Sequence, residues 1–367
     1  MPVENFSTFR PDDVTVLLSN ITGMLVPKPA KQRERLIQSG VHYSEMLPLE
    51  YVPSQRYLDE YYRALDCFAE ETARAVVTVS ERIFCTKKEK TTLVSLARAG
   101  TPIGVLIKRY LSQKYGIKVP HYTISIVRGR GIDNAAMEHI LNLHHVRDIQ
   151  FVDGWTGKGA ILDELYAALC SRSGCLKKRT LLAVLADPAN VTDMCGTHDD
   201  IPIASSFLNS TVCGLMSRTV IRPGIGADEL HGVAIFEELR GEDRTYEFIE
   251  RIESHIRALG RNTEHETPCT AAIPTFGASG AQGLDEVRSI AERFGIKDIN
   301  FVKPGIGEAT RVLLRRIPDT VLIAEEAAPK YVAHLVQLAE EKNVPVIRYP
   351  LNNYKACGII KTLSPDL

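Results

Sequence analysis

The chain has 367 residues, of which 44% are apolar and 24% charged, with a formal net charge of -1. That length exceeds what one hydrophobic core commonly organises, so two domains are expected. The near-neutral balance excludes nucleic-acid binding by overall basicity, and any basic surface has to be local. The polar first ten residues lack an apolar signal segment, and no stretch approaches the roughly 18 uncharged apolar residues of a membrane span. The eight cysteines are scattered without a CxxC pair, which points to reduced thiols, a cytoplasmic location and no membrane partner.

Residues 31–39 are charged and helix-prone, and apolar residues at helical spacing over 58–83 predict one or two amphipathic helices. Apolar runs at 91–96, 122–127, 149–152 and 181–186 then alternate with helical segments at 102–115, 134–144 and 159–170. This pattern indicates βαβ units and a parallel sheet covered on both faces. Residues 205–220 mix apolar and small polar residues without a clear period, and 243–259 reads as an amphipathic helix. The Thr, Pro, Gly, Ala and Ser-rich stretch 261–282 reads as a linker. Beyond it, helices at 284–294, 307–316 and 329–342 alternate with strands at 299–302, 320–324 and 346–349. The expected fold is therefore α/β: a parallel-sheet domain over 1–260 with its sheet core at about 90–190, and a small α/β/α sandwich over 283–367.

The loops after the first three strands carry glycine and open at the carboxyl edge of the sheet, where open parallel sheets bind ligands. Asp153-Gly154-Trp155-Thr156-Gly157-Lys158-Gly159 is the best candidate site. Its glycines let backbone amides approach an anion, the following helix aims its N-terminus there, Lys158 adds charge and Thr156 a hydroxyl donor. Asp153 is placed to accept from ribose hydroxyls. The spacing is not that of a Walker A loop. Arg98, Ala99, Gly100 and Thr101 form a second such loop, in which Thr101 can serve simply as a helix cap. Arg128 and Arg130 lie on a third, flexible loop suited to folding over a polyphosphate. Cys195 and His198 can be read as a thiol and base, with Asp199 and Asp200 as ligand or Mg²⁺ contacts, but no metal site is assigned. Lys303, Arg311, Arg315 and Arg316 cluster on one loop and helix face, a local basic patch suited to phosphate contacts.

The order of these loops resembles the type I phosphoribosyltransferases. The resemblance implies that Arg98, Ala99 and Gly100 hold pyrophosphate and that Arg128 and Arg130 sit on a mobile cover. It implies that Asp153, Thr156, Gly157, Lys158 and Gly159 hold ribose and its 5′-phosphate, with Gly154 standing where the family has a second acid. More closely, Gln38-Ser39-Gly40-Val41-His42-Tyr43-Ser44-Glu45-Met46, Arg98-Ala99-Gly100-Thr101-Pro102-Ile103-Gly104 and the 153–159 turn resemble the bacterial StiP-like family. Those proteins accompany tellurite-resistance and stress operons and have been described both as phosphoribosyltransferase-like and as cysteine proteases. The second domain is similar to the Pelota-type RNA-binding domain, which implies RNA contacts from Lys303, Gly305, Glu308, Arg311 and Arg315, with Gly307 where kink-turn readers have Asn.

Together these imply a protein that binds phosphoribosyl pyrophosphate or a nucleotide, with Mg²⁺ accompanying a diphosphate, joined to an RNA-binding module and able to pair as a homodimer. Asp153 and Arg98 are the expected catalytic residues if it is a transferase. The alternatives are a non-catalytic nucleotide sensor, an RNA-binding adaptor, and a cysteine hydrolase using Cys195 or Cys213.

Overall fold

A computed structural model describes residues 6–173, 177–222, 225, 226, 228–262 and 282–363. The first domain opens with β1 (Thr15–Val16), β2 (Ser19–Asn20) and α1 (Ala30–Gln38). The one or two amphipathic helices expected over 58–83 are a single 33-residue helix, α2 (Gln55–Lys87). Ser54 caps it by accepting from Tyr57 N at 3.2 Å, and buried Tyr57, Tyr61, Leu65, Phe68, Thr72 and Val76 keep one stripe against the sheet through its length. There follow β3 (Thr92–Leu96), α3 (Gly100–Tyr115), β4 (His121–Ile124), the hairpin of β5 (Ile126–Val127) and β6 (Gly131–Ile132), α4 (Asn134–Leu141), β7 (Ile149–Val152), α5 (Ala160–Ser173), β8 (Leu182–Ala186), β9 (Cys195–Thr197), β10 (Gly232–Val233) and α6 (Thr245–Asn262).

Six of these strands form one parallel sheet in the order β1-β4-β3-β7-β8-β9. β3, β7 and β8 are buried along their whole length, which is why they read as continuous apolar runs. The run expected at 122–127 splits, because β5 leaves the sheet to pair with β6. The unassigned 205–220 stretch is core: Phe207, Leu208, Val212, Leu215 and Met216 are all buried. Cys85 is disulfide-bonded, a departure from the expectation of reduced thiols. No described helix is long and apolar enough to cross a membrane.

The second domain contains α7 (Gln282–Arg293), β11 (Val302–Pro304), α8 (Ile306–Arg315), β12 (Pro318–Ala324), α9 (Pro329–Glu341), β13 (Val346–Tyr349) and β14 (Ala356–Ile360). Its sheet order is β11-β14-β12-β13, and β14, absent from the expected elements, is an inner strand antiparallel to both neighbours. The expected linker 261–282 lies outside the described residues over 263–281.

The two domains are docked through buried polar contacts. Asp200 of the first domain is 5% exposed and accepts from Ile306 N at 3.0 and 3.1 Å and from Lys355 N at 2.8 Å. It thereby caps α8, whose own N-cap residue, Gly305, offers no side chain. Burial pushes its carboxyl up to about 6 against those amides. Arg316 pairs with Glu34 at 2.6 Å, and the Phe68 and Tyr331 rings lie 5.1 Å apart. Asp200 is thus a docking residue, not the ligand or Mg²⁺ contact considered from sequence.

Candidate functional site

β3 and β7 are neighbours, but the next strands lie on opposite sides, β4 beyond β3 and β8 beyond β7. Loops leaving such a pair diverge and open a crevice at the carboxyl edge. The two loops there touch. A Cβ on Gly100 would stand 2.3 Å from Val152 O and 3.0 Å from Asp153 Cα, so only glycine lets the chains pass.

The 153–159 turn is held by its own side chains. Asp153 Oδ1 accepts from Gly154 N at 2.7 Å, and Thr156 Oγ1 accepts from Gly159 N at 3.2 Å, with Gly159 at φ 82°. The amides of Gly157 and Lys158 find no acceptor among the described residues, and they sit at the N-terminus of α5. Backbone donors and helix dipole there both favour an anion.

This turn lines a cavity of about 660 Å³ between the two domains. Its other walls include His42, Tyr43, Arg128 and Arg218 from the first domain, and Asn300, Lys303, Glu308, Arg311 and Arg316 from the second. The volume is that of an ordinary small-molecule pocket.

Charge in the cavity is unbalanced. Arg311 pairs with Glu308 at 2.7 Å and Arg316 with Glu34, whereas Arg218 and Lys303 have no ion pair among the described residues. The Arg218 guanidinium rests 4.2 Å over the Tyr43 ring. Burial, with Arg33 and Arg98 nearby, pushes it down to about 9. Burial also holds Lys303 below the usual lysine range. Lys158 is pushed down to about 8, first by burial and then by Lys303 and Arg128. Cations kept from water beside others of their sign are stabilised by an incoming anion. Asp153 moves the opposite way, up to about 6 through burial, against the pull of Arg311. Asp153, Glu164 and Asp298 are the lining carboxylates free of ion pairs among the described residues; Glu164 is taken up by the Gly129 and Gly131 amides, so Asp153 and Asp298 are the ones that could share Mg²⁺ with a diphosphate.

The remaining expected site residues are held by protein partners or lie outside the cavity, and Lys158 is among those held. Lys158 donates to Ile299 O at 2.5 Å and Val302 O at 3.1 Å, tying the turn to the second domain with two of its three protons. Arg98 is buried behind Arg218, with Nη1 on Met216 O at 2.7 Å and Glu50 Oε2 at 3.4 Å. Ala99 and Gly100 back the turn without lining the cavity. Thr101 is not a helix cap; its hydroxyl meets that of Thr123 at 2.8 Å in the core. The 128–131 segment is the tip of the β5–β6 hairpin, pinned by Glu164 accepting from Gly129 N and Gly131 N, by Arg130 on Glu45, and by Arg128 on Asn300.

The basic patch expected to meet RNA faces inward. Lys303, Glu308 and Arg311 line the cavity, with Arg311 4.3 Å over Trp155. A Cβ on Gly307 would stand 2.4 Å from that indole. Arg315 donates to Asn209, and a Cβ on Gly305 would stand 3.5 Å from Asp200 Oδ1. Arg218, His42 and Asn300 were not singled out as site residues; only the His42-Tyr43 motif carried a signal.

A second cluster gathers at β9. Cys195 Sγ lies 3.4 Å from His198 Nε2, and His198 Nδ1 lies 2.9 Å from Asp187 O and 3.6 Å from its carboxylate. The distances are those of a thiol, a base and an orienting acid. The thiol is fully buried, and burial, with Asp187 beside it, pushes it up to about 12. These three groups lie within 4.8 Å of one another, as a metal site requires, but the Arg82 guanidinium is 3.6 Å from the sulfur and opposes a cation there. Cys213 is likewise buried, its thiol pushed up to about 11.

Residues 7–253 match a family described as tellurite-like stress resistance cysteine protease StiP, and residues 281–362 match the PELOTA RNA binding domain. A relative from Acinetobacter baylyi named Cysteine protease StiP is 35% identical over 368 residues, covering 97% of this chain and 94% of its own.

Proposed function

The chain belongs to the StiP family and carries a C-terminal PELOTA domain, and from that premise we propose that it binds a phosphorylated ribose or nucleotide in the interdomain cavity as part of a stress response. The single observation carrying this reading is the cavity of about 660 Å³ into which the 153–159 turn presents amides that, among the described residues, find no acceptor, beside cations that make no ion pair. The phosphate sits on the Gly157 and Lys158 amides at the start of α5, with Lys158 supplying its third proton and Asp153 facing the sugar hydroxyls.

If the site turns over phosphoribosyl pyrophosphate, a nucleophile bonds to the anomeric carbon while the C–O bond to pyrophosphate breaks and its electron pair leaves with the diphosphate. Asp153 and Asp298 would hold Mg²⁺ accompanying the diphosphate, which would supply charge stabilisation to the leaving group. This chain's part is to position the sugar and surround the departing anion with fixed cations. RNA binding by the PELOTA domain accompanies this reading, as that family's name implies. Isothermal calorimetry of the full chain with ribose 5-phosphate tests it: one bound equivalent is expected, and no binding at millimolar ligand would remove it.

One observation favours a second reading. The 3.4 Å contact of Cys195 with His198, backed by Asp187, suits thiol chemistry, and the Acinetobacter relative is named a cysteine protease. That role demands movement that uncovers the thiol. Peptide hydrolysis lost on Cys195→Ala would establish it, and full activity of that variant would discard it.

A further inference from the structure

A second, much smaller internal space of about 20 Å³ lies where the two domains meet. Arg33 on α1, Arg98 after β3 and Arg218 line it from the first domain, Arg315 at the end of α8 lines it from the second, and Glu50 is the lining carboxylate. Arg33 is 2% exposed, and its side chain makes no hydrogen bond or ion pair among the described residues. Arg218 has none either and only rests on the Tyr43 ring. Arg98 gives Nη1 to Met216 O and, at 3.4 Å, to Glu50, but its buried Nε has no partner. Arg315 donates to the neutral Asn209. Glu34, beside Arg33 on the same helix, is taken up by Arg316.

Four guanidinium groups thus face one carboxylate where water is largely kept out. Burial comes first in holding Arg33, Arg218 and Arg315 below the ordinary arginine range, and another arginine comes second in each: Arg316 for Arg33, Arg33 for Arg218 and Arg98 for Arg315. Repulsion between like charges is several times stronger there than in water, and a buried cation without a counter-charge costs stability. A water molecule would satisfy an orphaned Nε but leave the charge. The size of the space selects the anion that would remove it. About 20 Å³ admits one particle little larger than water, which excludes phosphate, diphosphate and carboxylate ligands and leaves a halide. We infer that Arg33, Arg98, Arg218 and Arg315 hold a single chloride ion, which fastens the second domain to the first by screening Arg315 from Arg98 and Arg218. The site is independent of the 153–159 turn and of the ligand proposed for the large cavity, and Arg218 stands in the wall between the two spaces.

Thermal melts of the full chain in sodium chloride and in sodium gluconate, at matched ionic strength, test this, because gluconate is too large for the space. Chloride at about 100 mM should raise the wild-type melting temperature by at least about 3 °C, along a curve that saturates as a single site requires. Arg33→Met keeps the apolar stem and removes one charge. Its chloride response should fall below about 1 °C, while in gluconate it should melt no lower than wild type, which separates lost binding from misfolding. Glu50→Gln removes the opposing carboxylate and should shift the chloride midpoint at least about tenfold lower, an effect that a merely structural role would not produce. In crystals grown with sodium bromide, an anomalous peak should lie among the four guanidinium groups. Equal wild-type melting in the two salts would mark any such peak as an adventitious ion only and overturn the inference. A full chloride response in Arg33→Met, or a bromide map without density at these arginines, would overturn it too.

Discussion

The interdomain cavity and the Cys195 cluster carry opposite halves of what a site needs. The cluster has the contact distances, 3.4 Å from sulfur to imidazole, but its thiol is fully buried and pushed up to about 12. The cavity has no such ready contact, yet it has about 660 Å³ of space and cations without ion pairs among the described residues. Proximity alone is what any packed interior provides. Space, together with charge that the protein leaves uncompensated, marks where something else belongs.

The harshest way to break this comparison is Gly307→Val, whose side chain must enter the Trp155 ring that a mere Cβ would approach to 2.4 Å. Overpacking of about 1–3 kcal/mol concentrated at the domain contact should undock the second domain. Ribose 5-phosphate binding should fall below detection and small-angle scattering should show a larger radius of gyration; tight binding by an undocked protein would separate the site from the cavity. Lys158→Ala comes next, with an expected loss of about tenfold to a hundredfold in calorimetric affinity, the worth of a hydrogen bond from a charged donor.

The pH dependence sharpens the same point. Lys158, pushed down to about 8, holds its proton below that value and loses it above. Because a phosphate monoester is already fully ionised above pH of about 7, raising pH from 7 to 9 should weaken binding about tenfold through the lysine alone. Lys158→Arg should flatten the profile, and an unchanged slope would assign the effect to another group. The smallest effect belongs to the other region. Cys195→Ala should leave ribose 5-phosphate affinity within about twofold and cost roughly 1 kcal/mol in a denaturant melt. The native thiol should resist iodoacetamide at neutral pH, and rapid labelling would show that the cluster opens.

The parallel sheet was legible because β3, β7 and β8 are buried on both faces and so read as short, mainly apolar runs, β3 and β7 followed by glycine-bearing loops. The 153–159 turn was legible as a turn for the same reason, since Gly154, Gly157 and Gly159 stand beside Lys158 directly after such a run. β14 was not, being five residues with Gly358 at its centre, where an added Cβ would come within 3.1 Å of Ala309 and Val312 on α8. Arg218 lies in a stretch whose burial comes from irregular turns with no period to read. Docking was invisible too. Asp200 caps a helix 106 residues further on, and nothing local distinguishes it from a loop aspartate or says that Lys303 to Arg315 face inward.

A crystal structure of the full chain soaked with phosphoribosyl pyrophosphate and Mg²⁺ tests the central claim most directly. Density for one phosphate is expected on the Gly157 and Lys158 amides. An interdomain cavity holding only water at saturating ligand would contradict it.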